Sequence, residues 1–311
     1  MKNISILGAT GSIGSSTLKL ISMYKQKFNV IALTANKDYK KLASYAKNFR
    51  SKYAVIADIS QYNNLKKELS GTNTICLAGI NAIKDISKKK TDILVSAIVG
   101  IAGLKPTYNA IGNTKILAIA NKESIVSAGS ILIKKAKLNQ TKIIPIDSEH
   151  NAIFQVFEGS NIDEIEKIIL TASGGPFRGK QKHELMNITP SEAVLHPNWE
   201  MGKKISVDSA TLMNKGLEFI EAHYLFDMPI NKIEVLVHPQ SIVHSCVEYS
   251  DGSVLAQMGT PDMKTPIAYA LSYPKRIFAP IKKLDLAFLG DLSFQKPDNN
   301  TFPALNLAIN A

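Results

Sequence analysis

Apolar residues in the first half of the chain fall in short runs holding at most one polar residue each, separated by polar segments with helical spacing. The runs cover residues 4–7, 28–33, 53–57, 74–77, 93–97, 116–120 and 142–144. Continuous rather than alternating apolar character marks strands buried on both faces of a parallel sheet. Helical spacing follows at residues 16–21, 38–49 and 122–137. The pattern therefore predicts an α/β fold, a Rossmann-like doubly wound parallel sheet over residues 1–146. Beyond residue 147 the rhythm changes. Residues 168–170, 233–238, 242–249 and 254–258 read as strands, and Ser250-Asp251-Gly252-Ser253 as a hairpin turn by its Asp-Gly signature. A helix is expected from Ser209 onward to Ala222. Residues 147–285 are read as an α+β domain, its antiparallel strands a natural dimer surface. Residues 286–311 read as a linker ending in a helix-like stretch at 302–308.

Composition narrows the class only slightly. The 311 residues are 45% hydrophobic and 20% charged, ordinary for a globular protein large enough for two domains. No apolar run approaches the roughly 18 residues needed to cross a membrane. Met1-Lys2-Asn3-Ile4 enters a strand at once, so no signal peptide is expected. The two cysteines, Cys76 and Cys246, sit in apolar runs and read as buried thiols of a reducing compartment, pointing to the cytoplasm. A net charge of +11 suits nucleic acid or an anionic small ligand. The lysines are scattered and no aromatic residues interleave with them, which favours a phosphate-bearing ligand.

Gly8-Ala9-Thr10-Gly11-Ser12-Ile13-Gly14 stands between the first strand and a helix. This is a variant of the dinucleotide fingerprint in its required context, where free N–H groups and the helix dipole favour a pyrophosphate. At the end of the second strand an NAD site would carry an acidic residue; here Thr34-Ala35-Asn36-Lys37 offers a cation for a 2′-phosphate, which argues for NADP, although Asp38 is adjacent. Asn121-Lys122-Glu123-Ser124 lies at another strand's carboxyl end, where Lys122 could face substrate or simply begin a helix.

The stretch from Pro145 to Phe154 carries the sharpest signal. Asp147 and Glu149 follow a buried strand with one residue between them. In extended backbone, residues i and i+2 point to one side, so both carboxylates are expected to aim at one point. Hard oxygen donors there suit a magnesium- or manganese-type cation. The competing reading is a helix cap, with Asp147 or Ser148 at the N-cap and Glu149 in the first turn. Downstream, Thr171–Phe177 is a glycine-rich turn whose N–H groups and Ser173 could hold a phosphate, or a plain tight turn. The only tryptophan, Trp199, is bracketed by Pro197 and Gly202 on a loop, as a lid over a ligand or as an anchor to the core. Asn214, Lys215 and Glu218 share a helix face. Either they form a surface ion pair, or Glu218 is a third oxygen ligand with Asn214 and Lys215 gripping substrate beside it.

Taken together, Gly8–Gly14, Ala120–Ser124, Asp147–Gln155, Ser173–Arg178, His196–Trp199, Met213–Glu218 and His238–Ser241 resemble the 1-deoxy-D-xylulose 5-phosphate reductoisomerase family across nearly the whole chain. The resemblance implies conversion of 1-deoxy-D-xylulose 5-phosphate to 2-C-methyl-D-erythritol 4-phosphate, by intramolecular rearrangement and hydride transfer from NADPH. It implies one divalent cation (Mn2+, Mg2+ or Co2+) on Asp147, Glu149 and Glu218. Lys122 and Ser148 would contact the reacting end of the substrate. Ser173, His196, Ser209, Asn214 and Lys215 would hold its phosphate, and Trp199 would sit on a lid. Thr10, Gly11, Ser12, Ile13, Asn36, Lys37, Asn121, Glu123 and Gly202 would meet NADPH. A homodimer without nucleic-acid or membrane partners is expected. Asn36 stands where many members carry glycine, and members continue into a C-terminal helical domain, of which residues 286–311 are expected to be the linker and truncated start. The rival readings are a simple NADP-dependent dehydrogenase and a basic nucleic-acid-binding module.

Overall fold

The computed structural model describes residues 1–195, 199 and 202–311. The chain forms two compact units, residues 1–146 with 266–279, and residues 147–265 with 280–311. The return of 266–279 to the first unit is a crossing that linear boundaries at 146 and 285 do not contain.

The first unit is built on seven strands: β1 (Lys2–Leu7), β2 (Phe28–Ala35), β3 (Tyr53–Ile56), β4 (Ile75–Ala78), β5 (Thr91–Ser96), β6 (Thr114–Ile119) and β7 (Lys142–Pro145). They pair in the order β4-β3-β2-β1-β5-β6-β7, and every pair is parallel. Each predicted run is a strand, and the buried Ile4, Ile6, Val30, Leu33, Ile93 and Leu117 show why. With helices on both faces, the polar positions inside the strands are few and small, such as Ser5, Thr34 and Ser96. The chain winds outward from β1 through β2, β3 and β4, then returns to β5 on the other side of β1. Loops leaving β1 and β5 therefore part company, which opens a crevice at the strands' carboxyl ends. The glycine turn follows β1 at that point. Residues 266–279 are tied to this unit by polar contacts. Tyr24 Oη donates to the carbonyl of Phe278 at 2.8 Å, and Lys142 Nζ to Tyr273 Oη at 2.6 Å.

The second unit carries four strands, β8 (Ile165–Ala172), β9 (Ile233–Val237), β10 (Val243–Tyr249) and β11 (Val254–Met258), in the order β11-β10-β8-β9. The pairs of β10 with β8 and β11 are antiparallel, but β9 runs parallel to β8. The sheet is mixed, not antiparallel throughout. Side chains alternate across it: Ile168 and Leu170 face a core with Ile153, Phe219, Phe226 and Leu305, while Ile169 packs on the other face with Val243 and Cys246. The helix expected from Ser209 is two helices, Lys203–Ala210 and Met213–Phe226. Leu212 between them takes a left-handed backbone, φ 61°, and buries its side chain. Within the helix-like stretch 302–308, Phe302 and Leu305 belong to the core of the second unit.

The helix Ala304–Ile309 comes so near Met213–Phe226 that a Cβ on Gly216 would lie 2.5 Å from the Cβ of Ala308. Overpacking there costs about 1–3 kcal/mol, more than the roughly 1 kcal/mol that alanine gains over glycine inside a helix. Gly216→Ala is expected to lower the melting temperature by several degrees, and Gly216→Ala/Ala308→Gly to recover most of it. Thermal unfolding followed by circular dichroism checks both; an unchanged melting point for the single variant contradicts the packing account.

Candidate active site

In the first unit, Gly8–Gly14 forms a tight turn into the helix Ser12–Met23. A Cβ on Gly14 would meet the Gly8 carbonyl oxygen at 2.4 Å, so only glycine lets helix and turn approach this closely. The turn is anchored to the end of β2, where Gly8 N–H donates to Thr34 Oγ1 at 2.9 Å and Ala9 N–H to the Thr34 carbonyl at 2.7 Å. Gly11 and Ser12 are exposed, while Thr10 and Ile13 are half-buried. Asn36 and Lys37 are exposed just beyond β2, and Asp38 caps the helix Tyr39–Phe49 by accepting the Lys41 N–H at 3.0 Å. Asp38 therefore has a structural task, which removes the ambiguity it created beside Lys37. Lys41 was not anticipated: its ammonium donates to the Thr10 carbonyl at 2.9 Å, adding a cation on the turn itself.

Asn121 is the N-cap of the helix Lys122–Leu138, accepting from Ser124 N–H at 2.9 Å. Its amide donates to the carbonyls of Ile98 and Gly100, at 2.6 and 2.9 Å, and to Glu123 Oε2 at 3.2 Å. It thus clamps the loop after β5 to the loop after β6. Lys122 is buried and Glu123 half-buried in the first turn of this helix.

In the second unit, ligand atoms of Asp147, Glu149 and Glu218 all lie within 4.8 Å of one another. The route to this cluster differs from the expectation. Asp147 is the N-cap and Glu149 lies in the first turn of the helix Ser148–Val156, so the two are not side by side on extended backbone. Asp147 Oδ1 accepts the N–H groups of Glu149, 3.0 Å, and His150, 3.3 Å. The cap reading holds, and the capping carboxylate still lies within reach of Glu149 and Glu218. Glu218 comes from the second turn of Met213–Phe226 and is 1% exposed. Three hard oxygen donors with no thiolate or imidazole among them fit a magnesium- or manganese-type cation.

His150 locks the two helices together. Its Nδ1 lies 3.1 Å from Asp147 Oδ1 and its Nε2 2.9 Å from the Glu218 carbonyl. Both partners are acceptors, so both ring nitrogens donate and the ring is an imidazolium. Burial opposes that charge, but Glu221 and Asp147 outweigh it and push the pKa up to about 9. Glu221 Oε2 stands 3.5 Å from Nδ1. Burial and the neighbouring Glu218 raise the Glu149 carboxyl to about 7, against the pull of Lys215. The Lys215 ammonium donates to Glu149 Oε1 at 2.8 Å and to Glu218 Oε2. Asn214 donates its amide to Glu218 Oε1, and Ser148 Oγ donates to Glu149 Oε2.

Of the other expected residues, Ser173 Oγ accepts from Gly175 N–H at 3.2 Å in the glycine-rich turn after β8. A Cβ on Gly175 would lie 2.6 Å from the Ser209 carbonyl, so this turn packs directly on the end of the helix Lys203–Ala210. Gly202 is the exposed N-cap of that helix. The Trp199 ring centroid is 6.1 Å from that of His244, whose pKa burial pushes down to about 4, keeping it neutral. His196 lies outside the described residues. Neither thiol is primed as a nucleophile: burial raises Cys246 to about 11 and also raises Cys76. That disfavours an acyl-forming dehydrogenase. Among the described residues no helix is long and apolar enough to cross a membrane.

The sequence matches the family described as 1-deoxy-D-xylulose 5-phosphate reductoisomerase over residues 4–129, and that family's C-terminal domains over residues 143–226 and 258–311. It is 52% identical over 308 residues to the 1-deoxy-D-xylulose 5-phosphate reductoisomerase of Zymomonas mobilis, covering 99% of this chain and 79% of that protein. The solved structure of the Zymomonas mobilis enzyme in complex with NADPH superposes with a TM-score of 0.95 at 51% identity, covering 99% of this chain and 80% of that one. A reductoisomerase solved with NADPH, fosmidomycin and magnesium gives a TM-score of 0.96 at 46% identity, covering 100% and 79%. With half its residues identical over nearly its full length, and with both sheets superposing, this chain belongs to the 1-deoxy-D-xylulose 5-phosphate reductoisomerase family.

Proposed function

We propose that the protein is an NADPH-dependent, metal-dependent reductoisomerase that converts 1-deoxy-D-xylulose 5-phosphate to 2-C-methyl-D-erythritol 4-phosphate. The observation that carries this reading is the convergence of Asp147, Glu149 and Glu218 within 4.8 Å in a chain whose other unit bears a dinucleotide turn. A divalent cation on these three carboxylates supplies Lewis acidity to the substrate's carbonyl and hydroxyl oxygens, and NADPH supplies the hydride. The chain's own part is to bind and orient. Thr10, Gly11, Ser12 and Ile13 offer backbone and hydroxyl donors to the pyrophosphate, and Lys37 and Lys41 offer cations to the 2′-phosphate. Asn36, Asn121, Glu123 and Gly202 complete the NADPH set. Ser148 and Lys122 direct the reacting end of the substrate. Ser173, His196, Ser209, Asn214 and Lys215 hold its phosphate, so that binding energy remote from the reacting carbons fixes their geometry. Trp199 closes over the bound molecule. His150 holds Asp147 and the helix of Glu218 in register.

The active form is a cytoplasmic homodimer. Support comes from β11, a sheet edge whose Val254 and Leu255 are exposed at 51% and 42%, as an edge that pairs with a second copy would be.

Glu149→Gln removes a charged ligand while keeping its size. Turnover with 1-deoxy-D-xylulose 5-phosphate is expected to fall at least about a hundredfold, beyond what loss of a supporting residue around a metal costs, while NADPH binding, read by fluorescence, survives. Full activity in this variant sinks the metal assignment. Activity must also disappear with chelator and return with Mn2+, which a simple dehydrogenase would not require. A second expectation concerns pH. Because the Glu149 carboxyl sits at about 7, it is protonated below that pH and must lose its proton to ligate. Mn2+ affinity should therefore weaken as pH falls through about 7, with the midpoint moving lower as Mn2+ is raised. Calorimetric titrations between about pH 5.5 and 8 that give a constant affinity contradict this.

A further inference from the structure

The four carboxylate oxygens of Glu149 and Glu218 each accept a hydrogen bond. Lys215 donates to Glu149 Oε1 and Glu218 Oε2, Ser148 to Glu149 Oε2, and Asn214 to Glu218 Oε1. The ammonium of Lys215 thus lies between two members of a triad whose ligand atoms are all within 4.8 Å of one another. That is the position a ligated cation takes. An ammonium and a divalent ion repel, and they cannot both occupy the space between the same two carboxylates. Lys215 is 3% exposed, so its charge has nowhere to be screened by water if it is pushed away without a new partner. Its ammonium donates to both carboxylates at once, so it is held there as a cation and must be moved for another cation to enter. Its four-carbon stem allows the move, and Asn214, next to it on the same helix, is released by the same event.

We propose that Lys215 and Asn214 are exchanged between the metal carboxylates and the substrate's phosphate: a divalent cation entering the triad displaces them from Glu149 and Glu218, and the displaced ammonium and amide become the anion-binding groups. The inference rests on the reading that the triad holds the cation and that Asn214 and Lys215 hold phosphate. Its new content is that the two binding events share these donors and are therefore coupled. By linkage, the cation strengthens phosphate binding by the same factor as phosphate strengthens cation binding. Lys215 and Asn214 act here as positioning residues whose partner changes with ligation.

The test measures Mn2+ binding to the full chain through the electron paramagnetic resonance signal of the free ion, with and without methylphosphonate as the anion probe. In the wild type, methylphosphonate should tighten Mn2+ binding by about fivefold or more. Lys215→Met and Asn214→Ala should each tighten Mn2+ binding without the anion, and each should lose the anion's effect. A long-range charge effect alone predicts something different: Lys215→Met tightens binding and Asn214→Ala, which changes no charge, leaves it unchanged. That result overturns the exchange, as does weaker Mn2+ binding in either folded variant, which would mean the donors organise the triad instead of competing for it. Circular dichroism checks folding; should Lys215→Met not fold, Asn214→Ala decides by the same criteria. Asp147→Asn separates the two levels of failure. If wild-type Mn2+ binding does not depend on Asp147, the site reading itself falls and the exchange with it. If it does depend on Asp147 and the donor variants bind Mn2+ as the wild type does, only the exchange falls.

Discussion

Like charges brought together out of water are the constraint around which the second unit is arranged. Asp147, Glu149 and Glu218 meet within 4.8 Å, and Glu218 is almost fully buried. Such a cluster exists only if cations are built in beside it. Lys215 supplies one charge between Glu149 and Glu218, and His150 supplies another between Asp147 and Glu221. Removing one partner of a buried pair typically costs about 3–5 kcal/mol because the other is left uncompensated. The positions of two helices follow from this. His150 reaches across from Ser148–Val156 to the carbonyl of Glu218 on Met213–Phe226, so the start of one is registered against the second turn of the other. The hydrophobic contacts of Ile153 with Phe219 and Phe226 supply adhesion; the charged contacts decide the register.

The fold was legible where burial leaves a signature in composition. Seven parallel strands could be read because a strand covered on both faces is apolar at nearly every position, with only small residues such as Ser5 and Ser96 interrupting. What could not be read depends on partners distant in sequence. The direction of β9 beside β8 is one case, since a five-residue strand looks the same whichever way its neighbour runs. The break at Leu212 is another. The apolar spacing continues through it, and only the tertiary position of the next helix requires the left-handed turn. The docking of Ala304–Ile309 is a third. It depends on Gly216 presenting a surface without a Cβ, and a lone glycine in a helix does not announce which helix will approach it.

At the candidate site, the clustering of Asp147, Glu149 and Glu218 was readable and some of the geometry was not. The three carboxylates come from two segments, but Asp147 and Glu149 converge through a helix start, not an extended strand. His150, three residues after Asp147, was passed over although that spacing puts it on the same helical face. Glu221 stands in the same relation to Glu218. Lys41 was missed because its contact with Thr10 joins two βα turns that are neighbours only in the sheet. A basic residue in the first turn after β2 was the available signal.

The two units use the same piece of backbone for opposite charges. A helix N-terminus presents unpaired N–H groups and a positive partial charge, and so favours anions. The helix Ser12–Met23 keeps that property: its N-cap is Gly11, no side chain caps it, and its first turn has no acidic residue. Such a terminus is left available for a phosphate. The helix Ser148–Val156 begins equally close behind a strand, but Asp147 caps it and Glu149 follows in the first turn. The Asp147 carboxylate satisfies two of the N–H groups and brings a full negative charge against a partial positive one. A terminus that would repel a cation thereby becomes one that can accept it. The dipole does not govern the outcome there, because the Glu149 carboxyl sits well above its ordinary value, raised by burial and by Glu218. The side chains at the N-cap and in the first turn thus decide which helix start suits an anion and which suits a cation.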